Sequence, residues 1–220
     1  MFDRIKEDIM MVKLRDPASK SSLEIILCYS GLHAVWWHLI AHRLWNSNHR
    51  LSARVLSQIN RFFTGVEIHP AVKIGKRVFI DHGMGVVIGE TATIEEDVLI
   101  YQGVVLGGTS LAKEKRHPTV RSGVTIGAGA IVIGNLELGQ GSKIGAGAVV
   151  LEDVPPRTTA VGVPSRIVHE DRRCIIDQDH QHLPDPVNES LKEILSEIED
   201  LKEEITNLKK ENKTLKDKID

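Results

Sequence analysis

Aromatic residues make up only 4% of this 220-residue chain, and cysteine occurs just twice. So few rings exclude a core built on aromatic packing. With 41% hydrophobic residues and 18 glycines, the interior must be aliphatic and punctuated by glycine, and wholesale disorder is excluded. Two cysteines, Cys28 and Cys174, cannot frame a disulfide-stapled domain, which points to reduced thiols in a cytoplasmic setting. Neither charge sign dominates: 28 Lys and Arg stand against 30 Asp and Glu, net −2. That balance gives no basic face for nucleic acid. Long apolar runs are lacking as well. Leu23 to Trp45 is the greasiest window, and Glu24, His33, His38, His42 and Arg43 interrupt it too often for a membrane span. Met1 leads straight into Asp3, Arg4, Lys6 and Glu7, without a secretory stretch. These features describe a soluble cytoplasmic protein of one or two domains.

What the chain does contain is a period of six. Aliphatic residues recur at Ile68, Ile74 and Ile80, then after a slip of two at Ile88, Ile94, Ile100 and Leu106. After a longer break they return at Val120, Ile126, Val132, Leu138, Ile144 and Val150. Glycine often follows directly, as in Ile74-Gly75, Ile88-Gly89 and Ile126-Gly127. Neither a helical period nor a strand alternation produces this pattern. It fits a triangular solenoid in which each hexad supplies one short strand and a glycine-relieved turn. Three hexads make a coil, and coils stack about 4.8 Å apart at the strand-pairing distance.

The flanks differ in kind. Residues 1–65 read as a small helical domain. Its first helix ends at Asp16-Pro17, because the residue before proline resists helical geometry. A second, capped by Ser21 or Ser22, runs to about Trp45, and a third covers about Leu51 to Phe63 and stops at Thr64-Gly65. Residues 66–168 form the solenoid, interrupted by a loop at 107–119, and 169–187 is a polar connector. Residues 188–220 carry heptads: Leu191, Ile198, Ile205, Asn212 and Ile219 at a, with Ile194, Leu201, Leu208 and Leu215 at d. Glu197, Glu204 and Glu211 at g precede Lys202, Lys209 and Lys216 at e, the register of a parallel coiled coil. Isoleucine at a, leucine at d and one asparagine at a lean towards two strands.

A regular repeat is chemically inert, so its breaks are the candidate sites. The first is Asp81-His82-Gly83-Met84-Gly85. The second is the excursion from Gly107 to Pro118, which contains Arg116-His117. Histidines His33, His38 and His42 with Trp36, Trp37 and Trp45 fall at helical spacing without a zinc-ligand string and read as a packing stripe. Cys28 is expected in the core.

Several strings carry a resemblance to the serine O-acetyltransferase family of hexapeptide-repeat enzymes. They are Arg15-Asp16-Pro17-Ala18, Glu67-Ile68-His69-Pro70, Ile80-Asp81-His82, Val87-Ile88-Gly89-Glu90-Thr91-Ala92, Val105-Leu106-Gly107-Gly108-Thr109 and Arg116-His117-Pro118. Ile126-Gly127-Ala128-Gly129-Ala130 and Lys143-Ile144-Gly145-Ala146-Gly147-Ala148 complete the match, over roughly residues 10–168. The fold it implies is mainly β: a left-handed parallel β-helix with an N-terminal α-helical domain and a C-terminal coiled-coil helix. The reaction it implies moves acetyl from acetyl-CoA to the hydroxyl of L-serine, in cysteine biosynthesis.

By that resemblance His82 is the general base, a role suited to an imidazole titrating near working pH. Glu67 stands where the family has an acidic partner, Asp in some members, and His117 is a second site histidine. Asp16 and Asp81 would take the substrate ammonium, and Arg116, with its planar fork, the carboxylate. Gly108, Ala128, Lys143, Ala146 and Arg166 would line the groove for coenzyme A, with no metal involved. The resemblance also implies a homotrimer with sites between neighbours and L-cysteine as feedback inhibitor. Only residues 1–65 precede the solenoid, fewer than in members whose larger helical domain pairs trimers into hexamers, so a trimer is expected. Many relatives end in an isoleucine that docks into O-acetylserine sulfhydrylase. This chain ends Lys218-Ile219-Asp220 within a heptad and departs from that pattern.

Three other readings remain at this stage. One is a related acetyltransferase acting on a sugar or antibiotic. Another is a zinc carbonic anhydrase on the same solenoid, which needs a third histidine beside His82 and His117. The last is a non-catalytic scaffold, which leaves both breaks unexplained.

Overall fold

The computed structural model describes residues 2–170 together with 198, 201, 202 and 205. The chain divides into two units, Met1–Leu183 and Pro184–Asp220. Helices and solenoid therefore belong to one unit.

Four helices come first: α1 (Phe2–Arg15), α2 (Ser22–Cys28), α3 (Ser30–Asn46) and α4 (Arg50–Thr64). α1 stops one residue before Asp16-Pro17. Ser21 caps α2 by accepting the Glu24 N–H at 3.1 Å, and α4 ends on Gly65 in the left-handed conformation, φ 72°. The single helix expected from Ser22 to Trp45 is instead two, bent by 67° at Tyr29 (φ −96°, ψ 92°). The cause is packing on the solenoid. A Cβ at Gly31 would lie 1.8 Å from the Ile80 carbonyl oxygen, so α3 starts flush against that backbone. Cys28 is exposed rather than in the core, since α2 buries only Ile25 and its last turn faces outward. Cys174 lies outside the described residues.

The strands fall on the periodic aliphatics. β1 (Glu67–Ile68), β2 (Lys73–Ile74) and β3 (Phe79–Ile80) form the first coil, and β4 (Val87–Ile88), β5 (Thr93–Ile94) and β6 (Leu99–Ile100) the second. β7 (Val105–Gly107), β8 (Thr119–Val120) and β9 (Thr125–Ile126) make the third, and β10 (Ile131–Ile133), β11 (Glu137–Leu138) and β12 (Lys143–Ile144) the fourth. β13 (Val149–Val150) opens the next. β14 (Thr158–Val161) stacks on β12, and β15 (Arg166–Glu170) turns back antiparallel to it.

From β1 to β13 every third strand shares a face, giving the parallel sheets β1-β4-β7-β10-β13 and β2-β5-β8-β11 and the sheet β3-β6-β9-β12-β14-β15, parallel except for β15. Ile68, Ile88, Leu106, Val132 and Val150 stack as one buried column, and the other two faces add their own. Each such side chain contributes about 2 kcal/mol of burial. That stabilisation offsets the entropy of ordering two-residue strands.

A β-helix exposes unpaired carbonyls at its first coil, and here helical side chains fill them. Ser57 Oγ donates to Ile68 O (2.6 Å), His42 Nδ1 to Pro70 O (2.8 Å) and His38 Nε2 to Val72 O (3.1 Å). Arg4 donates to the Ile74 and Gly75 carbonyls. His38 and His42 of the histidine stripe thus cap the solenoid, while His33 bonds the Ile26 carbonyl of α2. Burial holds the His38 imidazole neutral, its pKa down from 6.5 to about 3. A depressed folded value means stability present above the unfolded pKa and lost as pH falls from 6.5 towards 3. The expected slope reaches about 1.4 kcal/mol per pH unit from this group. Denaturant unfolding between pH 7 and 4 checks it: His38→Gln should show a flatter loss than wild type, and parallel curves would contradict the argument.

Of the C-terminal heptads, most positions lie outside the described residues. Ile198, Leu201, Lys202 and Ile205 are helical, and Ile198, Leu201 and Ile205, at a, d and a, are exposed. No single helix among the described residues is long and apolar enough to cross a membrane.

Candidate active site

The breaks place the candidate residues on the two edges of the β1-β4-β7-β10-β13 sheet. His82 sits in the turn from β3 to β4, where two extra residues lift it clear of the coil. Its φ is 59°, a conformation costly for a non-glycine residue, and its side chain is 72% exposed. Among the described residues its close charged neighbour is Asp81, Nε2 to Oδ2 4.0 Å.

Asp16 reaches this edge from the end of α1. It is clamped by the Ala18 N–H at 2.7 Å on Oδ1 and by a short hydrogen bond from the Tyr29 hydroxyl on Oδ2. The bend between α2 and α3 is what brings Tyr29 there. Burial raises the Asp81 pKa, and the nearby Asp16 charge adds to it while His82 opposes. Burial and the Asp16 hydrogen bond likewise hold the Tyr29 phenol well above its ordinary value. Two carboxylates are thereby held close to one another beside His82.

Glu67, at the start of β1, pairs with Arg61 (3.1 Å). No bond joins it to His82 among the described residues. Ala128 and Ala146 occupy the same turn two and three coils further along, where Gly147 N donates to Ala128 O at 2.8 Å. Lys143 lies on β12 and the exposed Arg166 on β15.

The other edge is the turn from β7 to β8, where the excursion leaves the solenoid. Here Arg116 donates to Glu90 (2.6 Å), and that bond is the main cause of the lowered Glu90 pKa. Lys115 Nζ ties the loop back through Thr91 O (2.7 Å) and Pro118 O (3.2 Å). His117 is buried over Gly89, where a Cβ would meet its ring Cδ2 at 2.0 Å, so only glycine fits under the imidazole. Burial first, then the Arg116 charge, lowers the His117 pKa. His69 lies one coil below Gly89, in the turn from β1 to β2. Burial pulls its pKa down to about 4, and its ring stands edge-on to Trp45 at 5.0 Å. Gly108 borders His117 as well, its missing Cβ 3.1 Å from Nε2.

The structure thus joins Asp16 with Asp81 and His82, and Arg116 with His117 and Gly108, but sets the two groups on opposite edges of one sheet. Among the described residues no three His, Cys, Asp or Glu side chains converge as a metal-holding group.

A family model for the bacterial transferase hexapeptide (six repeats) matches residues 117–152. The serine acetyltransferase of Staphylococcus aureus is 54% identical over 200 residues, covering 90% of this chain and 94% of that one. The chain belongs to the serine acetyltransferase family. A solved serine acetyltransferase in complex with cysteine superposes with a TM-score of 0.80 at 45% identity, covering 82% of this chain and 71% of that one. The Brucella abortus serine acetyltransferase in complex with coenzyme A gives 0.75 at 42%, over 77% and 68%.

As a serine acetyltransferase the chain is an acyltransferase that uses acetyl-CoA, and its solenoid is the left-handed parallel β-helix. The residues that sequence reasoning passed over in this serine acetyltransferase are the supporting ones: Tyr29, His69, Glu90 and Thr91. His69, Glu90 and Thr91 lie within the resemblance strings, and the signal available was that they flank turns rather than strands.

Proposed function

We propose that acetyl transfer to L-serine takes place in sites shared by two chains of a homotrimer, with His82, Asp81 and Asp16 from one chain and Arg116 and His117 from its neighbour. The observation that carries this reading is the placement of the two groups on opposite edges of one sheet. A cyclic trimer sets one edge of each solenoid against the opposite edge of the next. The exposed heptad positions Ile198, Leu201 and Ile205 fit a tail that holds such an assembly together.

In the reaction, Asp16 and Asp81 hold the serine ammonium and Arg116, steadied by Glu90, holds the carboxylate. His82 takes the hydroxyl proton as the oxygen attacks the thioester carbonyl. Glu67 orients that imidazole once it exchanges Arg61 for it. The tetrahedral intermediate collapses, expelling the coenzyme A thiolate, which recovers the proton from His82. Ala128 and Ala146 from one edge and Gly108 from the other let the pantetheine arm approach the backbone, with Lys143 and Arg166 towards the phosphates.

L-cysteine presents the same ammonium and carboxylate with a thiol in place of the hydroxyl, so it competes for this pocket. These substrates suit a cytoplasmic setting.

Asp16→Asn tests the assignment of the ammonium site. It keeps the shape and the Ala18 bond but removes one charge from the ion pair. Thiol-release kinetics should show the KM for serine raised about tenfold to a hundredfold, with the KM for acetyl-CoA unchanged. An unchanged serine KM would remove Asp16 from the pocket.

A further inference from the structure

We infer that Thr91 is a positioning residue that fixes His117 as a neutral Nε2–H donor, so that His117 presents a proton and not a lone pair to the substrate. The inference rests on the shared-site reading above only for the identity of what His117 faces. The tautomer itself follows from hydrogen-bond arithmetic.

A hydroxyl has one proton to give and two lone pairs to receive with. Thr91 Oγ1 receives the backbone N–H of Arg116 at 3.0 Å and that of His117 at 3.1 Å. Both lone pairs are then occupied, and the remaining contact of Oγ1, to His117 Nδ1 at 2.8 Å, has to be a donation. The backbone N–H of Thr91, which can only donate, points at the same Nδ1 at 3.2 Å. Two donors on Nδ1 leave it no proton of its own. The ring proton therefore resides on Nε2, which is aimed at the space over Gly89 and beside Gly108. The depressed basicity of His117, caused by burial and the Arg116 charge, agrees with a ring that stays neutral in this role.

A division of labour between the two site histidines follows. His82 is solvent-exposed, whereas His117 is locked as a donor. It can stabilise the serine carboxylate or a developing oxyanion, but it cannot act as the base. The same hydroxyl also sets the backbone of Arg116, so one threonine orients both the guanidinium and the imidazole that meet the substrate. Glu90-Thr91 thereby gains a physical reason: Glu90 aligns the Arg116 head group while Thr91 aligns the chain that carries it.

The test uses the full-length protein with 15N-labelled histidine. The His117 pair of ring resonances is identified by its disappearance in His117→Gln. At neutral pH and without substrate, wild type should show the neutral Nε2–H pattern. An Nδ1–H or doubly protonated pattern would overturn the inference, and because no substrate is present that failure is separate from a failure of the shared-site reading. Kinetics then follow on Thr91→Val, which keeps the volume, and Thr91→Ser, which keeps the hydroxyl. Thr91→Val should lower kcat/KM for serine about tenfold or more and shift the His117 pattern towards a tautomer mixture, while Thr91→Ser recovers both. Equal activity of Thr91→Val and wild type, or a Thr91→Ser variant as impaired as Thr91→Val, would overturn it.

Discussion

His82→Ala should lower turnover by about two to four orders of magnitude, the usual contribution of a positioned general base, while the protein folds as before. The fold should survive because, among the described residues, the His82 ring makes no hydrogen bond to the scaffold. What the scaffold uses is the His82 carbonyl, which accepts from Ser30 Oγ at 3.2 Å and is untouched by the substitution. The side chain is largely in solvent, so little apolar area is lost. Serine remains bound through Asp16, Asp81 and Arg116, so its KM should change little while kcat collapses. Thiol release from acetyl-CoA, read beside a thermal melt, checks both halves of this expectation. Normal turnover in the variant would remove His82 as the base.

The second large effect is a gain. His82→Ala and His117→Ala should each be severely impaired alone, yet co-expressed with two different tags and purified as mixed trimers they should recover about a third of wild-type activity. The fraction follows from counting. A site is intact when the chain supplying its first edge retains His82 and the chain supplying its second retains His117, and every ring of three that contains both variants has one such interface among its three. Recovery of this kind is impossible if both histidines must act within one chain. No recovery above the level of the separate variants would reject the two-chain site, whatever the roles of the individual residues.

Much of this arrangement is visible in the chain before folding. The thirteen aliphatics spaced by six all lie on strands β1 to β13, because a two-residue strand with one inward side chain leaves no freedom of phase. The two breaks contain the two candidate histidines. A hexad count taken in threes even separates them: His82 follows the third hexad and His117 precedes the eighth, which lie on either side of hexads sharing one sheet. The break at Tyr29 was not legible. Ser22 to Trp45 is uniformly helical in composition, and only the approach of Gly31 to the Ile80 carbonyl divides it. The partners of the site residues were hidden for a related reason. Arg116 meets Glu90, and His117 meets Thr91, across a coil and an excursion whose path the sequence does not specify.

Local chemistry within the chain was enough to set the repeat, the caps at Ser21 and Gly65, the helix end at Asp16 and the location of the irregularities. Those features depend on neighbours a few residues apart, whose preferences a string of letters records. Which side chains clamp Asp16, which donors meet His117 Nδ1, and why His82 and His117 lie on opposite edges of one sheet were decided by packing. They depend on distances between coils and edges, and these exist only after the aliphatic columns have stacked.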